Sequence, residues 1–270
     1  MRKKIKRILT HVVLITASVI SVFPLYWMIS ASTNNSTDVL SGRLIPGLNF
    51  INNLKSLLEQ ANVGRAFLNS MKFSVSLSVL SLLVCSIAGY GFEIYHDKAK
   101  DRLMGILLLA MMVPFAATMI PLFKMFSTLK LQSTLIAYIL PTISTPFLIM
   151  LFRQSARSFP TEIIEAARID GVGELRIFFT MFLPTMKSTY AAAMTVTFMN
   201  AWNNYLWPKV IMMSEESQTM PMLVANLSTG FSIDYGVLML GVLICSLPTG
   251  ILFLVLQRSF ASGIVGAVKG

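Results

Sequence analysis

Apolar residues occur along this chain in six long runs, separated by shorter and more polar connectors. Each run has about the 20 residues that a helix needs to cross a bilayer. Inside lipid, backbone N–H and C=O groups must be paired within the segment, so these runs are expected to be helices. The pattern predicts an all-α integral membrane protein with six transmembrane helices, at Ile8–Ser30, Phe67–Phe92, Leu103–Phe126, Leu131–Phe152, Thr189–Pro208 and Tyr235–Leu256.

The connectors divide the predicted chain into four parts. Residues 1–30 hold a basic amino terminus and the first helix, and residues 31–66 form an extracellular loop. Residues 67–257 form a five-helix transmembrane domain, and residues 258–270 are a tail. The first run is longer than the 7–15 apolar residues of a cleavable signal peptide, so we expect it to be retained. Cleavage near Ala31 is the alternative.

The composition agrees with a membrane protein. Hydrophobic residues make up 55% of the chain and charged residues 13%, about half the share found in soluble domains. The net charge of +10 would suggest nucleic-acid binding in a soluble protein. Here the basic residues lie in short connectors and not on one polar face, so no nucleic-acid partner is expected.

The distribution of Lys and Arg predicts the orientation. The amino terminus, residues 95–102, residues 153–187 and the tail carry fifteen of them, and the remaining connectors carry seven. Because basic connectors stay on the cytoplasmic side, both termini are predicted to be cytoplasmic in a multi-pass plasma membrane protein.

Ionisable residues are missing from the centres of all six runs. Ion-coupled carriers usually keep such residues inside the membrane, so this class is disfavoured. Glu93 and Lys124 lie near the ends of runs and are expected to reach the membrane interface. The chain also has no G-x-x-x-x-G-K-[ST] loop for ATP. If transport is active, a partner must handle the ATP.

Catalytic and metal-binding patterns are not found either. Cys85 and Cys245 each lie inside an apolar run, and His11 and His96 are far apart without neighbouring ligands. We therefore expect no catalytic residue, no metal and no cofactor on this chain. A membrane-embedded enzyme is the weakest of the alternatives.

The longest predicted cytoplasmic connector contains two short helical segments. Pro160 suits a first helical turn, and Glu162 suits the positive end of the helix dipole. Asp170-Gly171 provides a turn, and a second segment runs from Glu174 to Phe182, before Leu183-Pro184. The pattern predicts an L-shaped bracket. Taken alone, it is also consistent with a plain surface helix joining two spans.

The residues of this bracket resemble a known motif. Glu165-Ala166-Ala167, Asp170-Gly171 and Leu183-Pro184 are similar to the EAA loop of ABC-importer permeases, over residues 158–184. The resemblance implies that the loop docks on a cytoplasmic ATPase subunit, with Glu165, Ala166, Ala167, Asp170 and Gly171 as the coupling residues. Ser188 stands where many members have a proline.

The resemblance extends over almost the whole chain. Residues 67–70, 201–208, 257–260 and 266–270 are similar to carbohydrate-importer permeases of the maltose-transporter G-subunit type. It implies a homologous second permease, two ATPase subunits, an extracellular solute-binding protein and a sugar substrate. A permease of the same class for a non-sugar solute is the alternative.

Polar and aromatic residues near the end of the fifth run are candidates for lining the sugar pathway. They are Asn200, Trp202, Asn203, Asn204 and Tyr205. Amides match sugar hydroxyls, and aromatic rings cover the apolar side of a pyranose. In a continuous helix Asn200 and Asn204 would share one face. Interfacial anchoring of the aromatic residues and helix bridging by asparagine are the alternatives, and Trp207 is expected at the interface.

Two further patterns concern packing. Ser70, Ser74, Ser78 and Ser81 recur at helical spacing on the second run, which favours close helix packing over pathway lining. Five prolines lie within predicted spans and are expected to bend them: Pro114, Pro121, Pro141, Pro146 and Pro248.

Overall fold

A computed structural model describes residues 2–230 and 232–268 of the chain, and the side chains of residue 4, residues 6–230 and residues 232–257. The elements assigned in these residues are helices, so the predicted all-α fold is confirmed. In chain order they are α1 (Arg2–Ser32), α2 (Ser36–Leu40), α3 (Phe50–Gln60), α4 (Val63–Ile94), α5 (Lys98–Ala110), α6 (Phe115–Thr128), α7 (Leu135–Ile139), α8 (Pro146–Ala156), α9 (Thr161–Ile169), α10 (Glu174–Ile177), α11 (Leu183–Thr185), α12 (Lys187–Trp202), α13 (Leu206–Ile211), α14 (Met220–Leu227) and α15 (Tyr235–Val268). Short 3₁₀ helices cover Leu140–Thr142 and Glu215–Ser217, and a π-helical segment covers Phe178–Phe182.

The candidate membrane spans include straight and broken helices. Lys6–Ser32, Val63–Ile94 and Tyr235–Gln257 are each long and apolar enough to cross a membrane. Two pairs of helices, α5 with α6 and α7 with α8, are bent where they join. If each bent pair is one span, the number of candidates is five. The fifth predicted span corresponds to α12, which has only 16 residues, followed by α13. The count of six spans therefore stays a prediction.

Prolines account for both bends. Pro114 has extended backbone angles (φ −61°, ψ 131°) immediately before α6, where the chain turns by 95°. Thr145 is extended before Pro146 at the 57° bend. A proline removes a backbone donor and forces the preceding residue away from helical angles, so a helix ends there. Bending at Pro114 and Pro146 is thus confirmed, whereas α6 and α15 continue past Pro121 and Pro248.

The chain forms two compact units. The first comprises Met1–Arg65 and Met222–Leu247, and the second Ala66–Pro221 and Pro248–Gly270. In the first unit, the segment predicted as a loop contains α2 and α3. The Asn53 amide of α3 donates hydrogen bonds of 2.9 Å to the carbonyls of Ser32 and Asn34. These bonds tie α3 to the end of α1.

The second unit contains the serine-rich face of α4. Ser70, Ser74, Ser78 and Ser81 are all at most 2% exposed, which agrees with the packing interpretation. The Ser70 hydroxyl accepts a 2.8 Å hydrogen bond from the backbone N–H of Met220. Small side chains on this face allow neighbouring backbone to approach closely.

Candidate functional site

The predicted bracket is present in the second unit. Its first arm is α9, and its second arm begins with α10 at Glu174. The sequence placed the end of the second arm before Leu183-Pro184, but the π-helical segment leads directly into α11, which ends at Thr185. Pro184 therefore lies directly after the π-helical segment in a continuous helical backbone. We call residues 161–185 the bracket.

Gly171 makes the bend between the two arms. Its φ is +74°, in the left-handed region that side chains with a Cβ disfavour. The Gly171 N–H donates to the Arg168 carbonyl at 3.0 Å, and the Val172 N–H donates to the Ala167 carbonyl at 2.9 Å. This pair of bonds is the Schellman arrangement that closes a helix carboxyl end. The bend is therefore fixed by local backbone chemistry.

An ion pair crosses the bend. Arg168 Nε lies 2.6 Å from Glu174 Oε1, and the Arg168 guanidinium lies 5.6 Å from the centre of the Tyr95 ring. The Arg168 hydrogen bond holds the pKa of the Glu174 carboxyl below its ordinary value of 4.5, and the same bond raises the pKa of Arg168. The Tyr90 hydroxyl is 3.5 Å from Glu174 Oε2. These contacts hold the two arms at a set angle.

The inner face of the bracket is apolar and buried. Ile164 and Ala167 of α9 belong to one cluster with Tyr90 of α4. The side chains of Ile164 and Ala167 are at most 3% exposed. The other buried members are Ala156, Phe159, Ile177, Phe178, Phe182 and Met186. The sequence treated Ala167 as a coupling residue, whereas the structure turns it inward, where it holds α9 against this cluster.

The outer face carries the remaining predicted coupling residues. Glu165, Ala166, Asp170 and Gly171 are exposed there. Four exposed large apolar residues of the bracket were not predicted from the sequence: Ile163, Ile169, Leu175 and Phe179, at 43%, 87%, 68% and 46% exposure. Ala166 and Ile169, three residues apart, lie on the helix face that points away from Ile164 and Ala167, and Ile163 lies at the edge of that face.

The candidate sugar-lining residues lie where the fifth predicted span breaks. Asn200 is exposed in the last turns of α12, and Asn203 is exposed just after α12 ends. Asn204 and Tyr205 are half-buried in the break before α13. The predicted shared face of Asn200 and Asn204 is therefore wrong. In a continuous helix Pro208 would clash with the carbonyl of Asn204, so the chain breaks and places Pro208 in a new first turn.

Both tryptophans of this segment are packed inside the second unit. Trp202 is 1% exposed, stacked 5.8 Å from Phe198 and edge-on 5.5 Å from Phe67. Trp207 is fully buried, and its Nε1–H donates to the Ala137 carbonyl at 3.0 Å. The interfacial position expected for Trp207 is thus wrong, and Trp202 faces neighbouring rings. Burying the indole N–H beside a carbonyl satisfies the donor away from water.

Three curated relatives match nearly the full length of the chain. The lactose transport system permease protein LacG of Rhizobium radiobacter is 40% identical, over 100% of this chain and 98% of the relative. The arabinooligosaccharides transport system permease protein AraQ of Halalkalibacterium halodurans is 37% identical, over 93% and 92%. The sn-glycerol-3-phosphate transport system permease protein UgpE of Escherichia coli O1:K1 / APEC is 26% identical, over 97% of each.

A solved structure supports the fold, and a family match covers most of the chain. The crystal structure of a bacterial ABC transporter involved in the import of the acidic polysaccharide alginate contains a chain with a TM-score of 0.85. The two chains are 20% identical, and the match covers 96% of this chain and 98% of the other. The family described as binding-protein-dependent transport system inner membrane component matches residues 81–266, and the present chain belongs to that family.

Proposed function

We propose that this chain is the permease subunit of an ATP-driven importer and that its solute is a sugar or an oligosaccharide. As an inner membrane component with several apolar helices, the chain is a multi-pass plasma membrane protein. The relatives named for lactose and for arabinooligosaccharides are more similar to it than the relative named for sn-glycerol-3-phosphate. This order of similarity favours a carbohydrate.

The outer face of the bracket carries the proposal. Ile169 and Leu175 project from the two arms on either side of a braced bend. Exposed charged residues surround them, including Glu165, Asp170 and Arg176. Apolar side chains within a charged rim are typical of a protein-binding surface. We infer that a cytoplasmic ATPase subunit docks here and that ATP hydrolysis takes place on this partner.

The remaining parts of the assembly follow from this arrangement. The chain pairs with a homologous second permease, two ATPase subunits and an extracellular solute-binding protein, and both of its termini are cytoplasmic. Closure of the ATPases on ATP moves the bracket, and the spans then turn the pathway towards the binding protein. Asn200, Asn203, Asn204 and Tyr205 are proposed to line that pathway, and Trp202 is proposed to support them by packing.

Uptake by the whole transporter tests the proposed substrate class. We expect ATP-dependent, saturable uptake of a labelled disaccharide or oligosaccharide into proteoliposomes that contain all subunits. A panel of lactose, arabinooligosaccharides and sn-glycerol-3-phosphate separates the substrate classes. Uptake of sn-glycerol-3-phosphate alone, or uptake without ATP hydrolysis, would contradict the proposal.

A single substitution tests the docking surface. Ile169→Glu introduces a charge at the exposed apolar centre of the outer face, so we expect less ATPase to co-purify with the permease and uptake to fall at least tenfold. Thr161→Glu is the matched control. This residue is also exposed on α9, but at the amino end, where an acidic side chain suits the helix dipole. Equal loss with both variants would argue against a specific docking surface.

A further inference from the structure

A nearly buried arginine joins three helices of the second unit. Arg153 of α8 is 4% exposed, with its Nε 3.1 Å from Glu93 Oε2 and its Nη2 2.6 Å from Asp101 Oδ1. Glu93 lies in the last turn of α4, and Asp101 lies in the first turn of α5. The structure pairs Glu93 with Arg153, and its expected position at the membrane interface stays a prediction. We call Glu93, Asp101 and Arg153 the three-helix clamp.

Two of these helices meet backbone to backbone one turn from the clamp. A Cβ placed on Gly89 of α4 would lie 2.7 Å from the backbone nitrogen of Arg153 and 2.9 Å from the backbone carbonyl oxygen of Ile149. Only glycine fits at that distance. Because the helices cannot move closer together here, a shift of α8 pushes directly on α4.

The geometry of the clamp requires an arginine. Its planar guanidinium presents several N–H donors in fixed directions, so it can bind two carboxylates from different helices at once. A lysine is a single point charge on a flexible stem and does not reproduce this geometry. Arg157 and His96 also contact the clamp, at 3.3 Å from Glu93 and 2.9 Å from Asp101, but their side chains are about half exposed.

The clamp lies close to the bracket along the chain. Helix α8 ends at Ala156, and α9 begins at Thr161. Ala156 shares the buried cluster of the bracket with Ile164 and with Tyr90, which is one residue from Gly89 on α4. Packed side chains therefore connect the bracket with α8 and with α4 at the level of the clamp.

We propose that Arg153 is a positioning residue of the transport cycle, which joins the ends of α4, α5 and α8 so that movement of the bracket reaches all three helices together. This inference rests on the proposed function, because it assumes that an ATPase moves the bracket. Without the clamp, α8 and α4 still follow the bracket through their packing, while α5 loses its charged tie to α8 and lags. ATP is then hydrolysed with less solute moved.

The test compares uptake with ATP hydrolysis in proteoliposomes that contain the whole transporter. In Arg153→Lys and Asp101→Asn, we expect ATP hydrolysis within about twofold of the wild type. Solute moved per ATP should fall at least fivefold. Arg157→Gln is the matched control. Arg157 contacts the same Glu93 from an exposed position, so the ratio should stay within about twofold of the wild type.

Three results would overturn the inference. The first is a wild-type ratio of solute moved to ATP hydrolysed in both clamp variants. The second is an equal fall of uptake and ATP hydrolysis, and the third is a failure of both variants to assemble. The last two indicate a role in folding alone, and Asp101→Asn is included because it keeps the shape of a half-exposed side chain. A wild-type transporter that shows no ATP-dependent uptake would contradict the proposed function instead.

Discussion

Arg168 and Glu174 form an ion pair of 2.6 Å across the bend at Gly171, so the last turn of α9 is tied to the first residue of α10. The two side chains are about 40% exposed, which limits the contribution of this pair to roughly 0.5 kcal/mol. Its larger effect is geometric, because it fixes the angle between the arms that present Ile169 and Leu175.

Gly171→Ala should weaken the bend. At a φ of +74° the added Cβ costs about 1 kcal/mol, although no atom lies within 4 Å of its position. We expect a lower melting temperature of the purified subunit and reduced ATP-coupled uptake. Gly173→Ala is the matched control, because Gly173 has a φ of −70° and equally open space. Similar losses in both variants would show that the conformation of Gly171 is not the cause.

The ion pair gives a pH dependence with a defined sign. Arg168 lowers the pKa of Glu174 in the folded chain, so the contribution to stability is present above the unfolded value of 4.5. It is lost as the pH falls through the lower folded-state pKa. The difference in unfolding free energy between wild type and Glu174→Gln should therefore be constant near neutral pH and shrink in acid. A difference that grows in acid would contradict this assignment.

Gly89→Ala should destabilise the contact between α4 and α8. The new methyl group would meet backbone atoms at 2.7 to 2.9 Å, and overpacking of this kind costs about 1–3 kcal/mol. Gly91→Ala lies two residues further along α4 and meets no atom within 4 Å. It should be neutral or stabilising by up to about 1 kcal/mol, because alanine favours helix. Thermal unfolding of both variants in detergent measures the contrast.

Asn200 and Trp202 should differ in phenotype although they are two residues apart. Replacing the exposed Asn200 by Leu should raise the half-saturating sugar concentration several-fold, since a lost hydrogen bond costs about 1 kcal/mol, and should leave stability unchanged. Trp202→Ala removes a buried ring and should cost about 3–5 kcal/mol of stability. Unaltered uptake kinetics in Asn200→Leu would remove this residue from the pathway.

Cysteine labelling in intact cells tests the predicted orientation of the chain in the membrane. In a background without Cys85 and Cys245, a cysteine at the exposed position Glu215 should react with an impermeant maleimide added outside. A cysteine at the exposed position Arg176 should react only after the membrane is opened. The reverse pattern would place the bracket outside the cell and exclude ATPase docking there.

Local signals in the sequence were sufficient for much of the bracket. Pro160 precedes α9, and Gly171 ends it at the predicted bend, because backbone preferences of proline and glycine act over a few residues. The apolar runs likewise predicted α1, α4 and α15, since the length of a span depends on the bilayer and not on its neighbours. The resemblance of Glu165-Ala166-Ala167 to the EAA loop then indicated the family.

Tertiary structure decided which side of each helix faces protein. Lipid is as apolar as a protein core. Hydropathy therefore could not show whether Trp207 lies at the membrane interface or, as the structure has it, is buried inside the protein. The three-helix clamp was equally hidden, because Arg153 is 60 residues from Glu93 and 52 from Asp101 in the sequence. The sequence by itself determined the all-helical class, the longest helices, the bend and the family. The packing of helices that are distant in sequence decided the inward position of Ala167, the outward position of Ile169 and the pairing of Arg153.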